Sequence, residues 1–172
     1  FIVQPTCPPV NDNLMELLLM LSTLRRSSAK SITAVIPYYG YARQDRKTES
    51  RVSIAAADVA NLLSTMGVDR VISVDLHCGQ IQGFFGPRVP VDNLNAGIVG
   101  MEYMIEDFEI ENLDELVVIS PDAGGVGRAK NFQDSLIDRG FQNVALAMII
   151  KQRAGAGKVA KMDLVGDVRG KD

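Results

Sequence analysis

No run of about 18 consecutive apolar residues, the length a membrane-spanning helix needs, occurs in this chain. The nearest approach, LMELLLMLSTL at 14–24, is too short and is broken by Glu16 and Ser22. Positive charge is not in excess. Lys and Arg number 18 against 21 Asp and Glu, for a net charge of −3, which argues against a generic nucleic-acid binder but leaves room for a local basic pocket. Only two cysteines occur, Cys7 and Cys78, in no CxxC or Cys/His zinc spacing, so neither a disulfide scaffold nor a structural zinc site is indicated. No charged-then-apolar leader opens the sequence, and no strict repeat with a period of roughly 20 to 50 residues runs through it. These absences lead to the expectation of a soluble, cytoplasmic protein with no membrane or nucleic-acid partner.

What is present is 172 residues, 47% of them hydrophobic, enough to bury a real core in one large domain or two small ones. Strands are predicted at FIVQP (1–5), SITAVIP (31–37), RVISVDL (70–76), LVVISP (116–121), NVALAMII (143–150) and MDLVGDV (162–168). Between them lie helical patterns. Leu14, Leu17, Leu18 and Leu21 recur at i, i+3, i+4 and i+7 behind NDN (11–13), whose side chains suit an N-cap. A second helix is predicted over 54–66, with Val59, Leu62, Leu63 and Met66 on one face and Gly67 as the C-cap. PVDNL leads into a third near 96–108, and a fourth runs from Gly125 to Arg139, closed by Gly140. Continuous apolar strands alternating with helices predict an α/β fold, with parallel sheets flanked by helices on both faces.

In open α/β sheets ligands bind beyond the carboxyl ends of the strands, and the strand ends here are polar. AVIP leads into YYGYARQDRK, where Arg43, Gln44, Asp45, Arg46 and Lys47 offer cations and an amide to an anion or a base. The tyrosines before them offer a stacking face, and the long loop suits a lid. A solvated charged loop would carry the same residues. VISV leads into DLHCGQ, which holds the only histidine of the chain. Asp75 and His77 are two apart, so on a regular strand they share a face; both could serve a divalent ion, or the Asp could orient the His. VVIS leads into PDAGG, placing Asp122 before Gly124 and Gly125, where backbone amides can approach an anion or where the chain merely turns. AMII leads into KQR, in which Lys151 and Arg153 alternate and point the same way, as charge building on a transferring phosphoryl group would require. GVG at 125–127 has Lys130 where a dinucleotide fingerprint needs its third glycine, which removes that alternative.

Taken together, YARQDRK, DLHCGQIQGFF with PVDNL, and SPDAGGVGRAK resemble ribose-phosphate pyrophosphokinase. NDNLMELLLM and LVGDVRGKD are similar to the segments that flank these motifs, so the likeness covers essentially the whole chain. The resemblance implies two similar phosphoribosyltransferase-like domains, both incomplete, with residues 1–95 in the N-terminal one and 96–172 in the C-terminal one. It implies that the β,γ-diphosphoryl group of Mg²⁺-ATP passes to the anomeric hydroxyl of ribose 5-phosphate, releasing AMP. On the matching positions it implies ATP binding by Arg43, Gln44, Asp45, Arg46 and His77, and a Mg²⁺ site at His77 and Asp122, with Asp75 beside them. It further implies Lys151 as the catalytic lysine, Arg153 as its partner for the transition state or the substrate phosphate, and Gly124 and Gly125 at that phosphate. Homo-oligomers with active sites shared between subunits are a further implication.

Two departures stand out. GPRV (86–89) replaces a shorter link that often carries an acidic residue, leaving Asp92 as the nearest substitute. The acidic loop expected shortly after Asp172 is not in the sequence, and Phe1 stands in mid-strand, so the chain reads as a piece of something longer and is expected to be inactive alone. The rival expectations are a non-catalytic regulatory relative, which would have no need of Lys151, and a phosphoribosyltransferase, which would need no ATP.

Overall fold

The computed structural model describes residues 1–108, 115–155 and 158–171. They form two compact units, residues 1–96 and 97–172. The first unit runs β1 (Ile2–Val3), α1 (Val10–Arg26), β2 (Thr33–Ile36), α2 (Ala55–Thr65), β3 (Arg70–Val74), a 3₁₀ helix (Gly79–Phe85) and β4 (Val91–Leu94). Its strands make one all-parallel sheet in the order β1-β2-β3-β4. PVDNL, expected only to lead into a helix, is itself the edge strand β4. Because every connection steps the same way across the sheet, right-handed crossovers bring the connecting segments to one face. Burial follows that rule. Ile2, Ala34, Ile36 and Val71 are buried together with Leu17, Leu21, Val59, Leu63 and Ile81, whereas Val35, Ile72 and Val74 on the alternate positions are only half-buried. Among the described residues of this unit, helices therefore cover one face of the sheet, not the expected two.

The leucine periodicity of α1 is realised, with Leu14, Leu17, Leu18 and Leu21 all buried. Its start differs. Pro9 occupies the N-cap without a side-chain bond, so Asn11, Asp12 and Asn13 lie in the first turn, and Asn13 Nδ2 donates to Cys7 O at 2.8 Å to hold the chain entry. In α2 the buried face is Ala56, Val59, Ala60 and Leu63, an i, i+3, i+4, i+7 set in which two alanines count as core. Leu62, assigned inward from the sequence, is 43% exposed. Gly67 ends this helix at φ +91°, a conformation that suits glycine. Arg25 of α1 lies against it, donating to Gly67 O and, at 2.6 Å, to Asp69 Oδ2.

The second unit runs α3 (Gly97–Phe108), β5 (Leu116–Ser120), a 3₁₀ turn (Ala123–Gly125), α4 (Val126–Asp138), β6 (Val144–Gly155) and β7 (Lys158–Val165). Met101, Leu116, Leu136 and Val144 form its core, with Ile105, Val118, Phe132 and Phe141 packed around them. β5 and β6 are parallel up to the pair Ser120–Met148. From Met148 onward β6 pairs antiparallel with β7, so the last strand does not extend a parallel sheet. The reason is the length of the link. Only residues 156 and 157 separate the two strands, and a parallel crossover needs about a dozen residues or more. No helix among the described residues is long and apolar enough to cross a membrane.

Candidate functional site

The first unit brings the Arg43–Arg46 segment to the turn that follows β3. Tyr39 begins the approach and is buried against Phe85, with ring centroids 6.2 Å apart at 72°. Its hydroxyl donates to Ala56 O at 3.1 Å, and burial raises its pKa well above the usual phenolic value. Tyr39 is thus a core residue and offers no stacking face, while Tyr38 and Tyr41 are exposed. Gly40 follows because nothing larger fits: a Cβ there would meet Thr6 O at 2.6 Å, and the Gly40 amide already donates to Thr6 Oγ1 at 2.7 Å. Gln44 is tied through its carbonyl, which accepts from Ala56 N at 3.2 Å.

Asp45 anchors the segment. It is 7% exposed, in contrast to Arg43, Gln44 and Arg46 around it, which are exposed. Arg46 closes on its carboxylate with two parallel bonds, Nε to Oδ1 at 2.7 Å and Nη2 to Oδ2 at 2.8 Å. Cys78 and His77 both lie close enough to act on the same carboxylate. The Arg46 bonds first, then the thiol, hold the Asp45 carboxyl far below the usual carboxylate range. The pair reciprocally raises Arg46, while burial first and then Asp45 push the Cys78 thiol up. Both cysteines are free thiols. Cys78 escaped the sequence reading because cysteine was weighed only for pairing and zinc; its place next to the only histidine was the available signal.

Asp75 and His77 do not share a strand face. β3 ends at Val74, and Asp75 is left-handed at φ +45°, which Asp tolerates better than most residues. Its amide donates to Leu94 O at 2.9 Å, its Oδ2 accepts from Ala96 N at 3.3 Å, and Asn93 Oδ1 accepts from Leu76 N at 3.0 Å. Asp75 therefore fastens the turn to the end of β4. His77 itself is exposed. Asp92 is engaged by Arg70 at 2.6 Å. Near the opposite, amino ends of β3 and β4, a cavity of about 410 Å³ is lined by Ser64, Val68, Asp69, Phe85 and the Pro87–Val89 part of the GPRV segment.

In the second unit Asp122 caps the turn after β5, its Oδ1 accepting from Gly125 N at 3.0 Å. The Gly125 amide is thereby taken, and the glycine answers a different need than an anion's approach: a Cβ there would sit 2.7 Å from Ser120 Oγ. Gly124 is exposed beside it. Lys151 and Arg153 do not follow the end of a strand as expected. Both lie within β6, past the last β5 pair, in the ribbon formed with β7, where Lys151 faces Met162 and Arg153 faces Val159. The register with β7 shifts on either side of Arg153. Lys151 is half-buried.

Among the described residues no three His, Cys, Asp or Glu side chains gather into a metal cage. An exposed carboxylate at Asp122 with one oxygen engaged fits Mg²⁺ in its usual nucleotide-borne form. That form keeps waters and takes only one or two protein ligands beside substrate phosphates.

A family model described as the N-terminal domain of ribose phosphate pyrophosphokinase matches residues 1–67. The chain is 53% identical over 171 residues to a ribose-phosphate pyrophosphokinase of Hyphomonas neptunium, covering 99% of the chain and 51% of that protein. It is 52% identical over 172 residues to one of Wolinella succinogenes, covering 52% of it. Among solved structures it is similar to phosphoribosylpyrophosphate synthetase from Mycobacterium smegmatis, with a TM-score of 0.81 at 45% identity over 98% of the chain and 50% of that one. The chain thus spans about half the length of the curated relatives it matches.

Proposed function

The chain belongs to the ribose-phosphate pyrophosphokinase family, and from that premise we propose that the protein containing it makes 5-phosphoribosyl 1-diphosphate from ATP and ribose 5-phosphate. The anomeric hydroxyl oxygen attacks the β-phosphorus of ATP, the bond from that phosphorus to the α,β-bridging oxygen breaks, AMP leaves, and the hydroxyl proton is lost. Such a transfer asks of a protein mainly alignment and neutralisation of charge. The observation that carries the reading is that β2 and β3 pair in parallel, so the Arg43–Arg46 segment and the His77 turn both lie beyond their carboxyl ends, where this sheet class binds its ligands.

Within that reading, Arg43, Gln44 and Arg46 bind the nucleotide from an exposed segment that Asp45 secures, with His77 beside it. Mg²⁺, when bound with ATP, would be held through His77 and Asp122 and would neutralise the diphosphoryl oxygens. Asp75 is left with the turn it fastens. Lys151 meets the charge that builds on the diphosphoryl group in transit, with Arg153 as its partner. Gly124 and Gly125 lie in the turn assigned to the sugar phosphate. Residues 1–96 and 97–172 are read as parts of the N-terminal and C-terminal phosphoribosyltransferase-like domains of a cytoplasmic homo-oligomer in nucleotide biosynthesis, with active sites shared between subunits.

The test is AMP formation by the full-length protein supplied with Mg²⁺, ATP and ribose 5-phosphate. Lys151→Ala should cut kcat by about a hundredfold or more, in line with the loss of one preorganised charge at a transfer site, with the thermal transition unchanged. A full-length protein without this turnover, or a variant with normal kcat, would overturn the reading. The first result would leave a regulatory relative; consumption of 5-phosphoribosyl 1-diphosphate with no need of ATP would leave a phosphoribosyltransferase.

A further inference from the structure

We propose that Asp45 never touches the nucleotide and instead acts as a positioning residue, fixing the direction of Arg46; this rests on the function proposed above. The argument begins with what the carboxylate has left to offer. Both of its oxygens are engaged by Arg46, at 2.7 and 2.8 Å. Its side chain is 3% exposed, against 64% for that of Arg46. A carboxylate so buried and so engaged has no open face to turn toward a ligand, and its charge has the same sign as the phosphates.

Arg46 is in the opposite position. Of the five N–H donors of a guanidinium, Nε and Nη2 each give one to Asp45, and the remainder stay on an exposed group held in one orientation. A free arginine would lose rotamer freedom on meeting a phosphate, at a cost of roughly 0.5–1.5 kcal/mol. Here the cost is met during folding, because the bidentate fork sets the guanidinium plane. On its other side the segment is held by Gln44, whose carbonyl is bonded to the start of α2. Lowering the net positive charge works against this effect, but at an exposed guanidinium salt screens that loss, so orientation decides.

The experiment is a double-mutant cycle in the full-length protein, with Asp45→Asn, Arg46→Ala and the pair, read as kcat and KM for each substrate. An amide in place of the carboxylate sets an N–H₂ against the Arg46 donors, so the clamp opens. The expected result for D45N is a KM for ATP raised roughly three- to tenfold, the size of freeing one such side chain, with kcat and the KM for ribose 5-phosphate little changed. In the R46A background D45N should change the KM for ATP by less than about twofold, since Asp45 then has no guanidinium to direct. Equal effects of D45N in both backgrounds would mean that Asp45 contacts the nucleotide directly, and would overturn the inference. So would an unchanged KM for ATP in D45N. If D45N does not fold, Arg46→Lys on the exposed partner decides: it keeps the charge and loses the fork, so its KM for ATP should rise as expected for D45N, and a wild-type KM would be the contrary result. Should the wild-type protein show no turnover, Mg²⁺-ATP binding by calorimetry reads the same cycle. Coupling there would retain this inference while the enzymatic reading fell, and a wild type that binds no Mg²⁺-ATP would remove both.

Discussion

Replacing Gly125 by alanine puts a methyl group where the structure has no room for it. The new Cβ would lie 2.7 Å from Ser120 Oγ. That hydroxyl cannot turn aside freely, because Ser120 is fully buried and donates to Asp122 O at 2.7 Å. Moving it leaves a buried hydroxyl unsatisfied at roughly 1–3 kcal/mol. Backbone strain adds nothing, since Gly125 sits at φ −87° and ψ −7°, which alanine adopts. The reduced freedom of the unfolded chain returns roughly 0.4–1 kcal/mol, so a net loss of about 1–2 kcal/mol is expected. Gly127, two residues on and inside α4, has nothing within 4 Å of its would-be Cβ, and alanine there should gain roughly 0.5–1 kcal/mol. Equilibrium urea denaturation of wild type, G125A and G127A gives both signs in one series. Adding S120A removes the obstacle, so G125A should cost little in that background. A G125A variant as stable as wild type, or a loss in G127A, would refute this account of the turn that carries Asp122.

Neighbouring leucines in α2 should behave unequally. Leu63→Ala, from a residue that is 0% exposed, should cost roughly 2–5 kcal/mol, and Leu62→Ala, from one 43% exposed, well under half of that; similar losses in urea denaturation would show the buried face to be misassigned. Acid stability has a definite direction. The Asp69 carboxyl is held below its usual value, first by Arg25 and then by the Ile32 amide, and Asp45 is lowered by Arg46 and Cys78. A folded-state value below the unfolded one, about 3.9, contributes stability that is complete above that pH and is lost as pH falls through the folded value. The urea midpoint should therefore hold above about pH 5 and decline below about pH 4. Asp69→Asn should show a shallower decline than wild type, and an identical acid limb would count against the Arg25–Asp69 contact.

Much was legible in order along the chain because its signals are local. The leucine spacing of α1, the β-branched runs of β2, β3 and β5, and the polar residues beyond them need only periodicity and side-chain chemistry. Leu62 shows where this stops: the sequence marks large apolar residues, while the buried face of α2 runs through Ala56 and Ala60, which size alone does not mark as core. Asp75 and His77 show a second limit. Their spacing implies a shared face only while the strand continues, and the strand ends one residue too soon.

Composition and spacing alone determined an α/β chain with polar strand ends and a histidine among them, and the motifs themselves carried the family. Tertiary structure decided which of those polar groups are exposed and which are already engaged. Within one pentapeptide, RQDRK, Arg43 and Gln44 stay open to solvent while Asp45 is buried by Arg46 and a cysteine 33 positions later in the chain. Nothing local distinguishes these side chains. The difference comes from β2 and β3 pairing in parallel, which brings the ends of both strands, and so the two loops, to the same edge of the sheet.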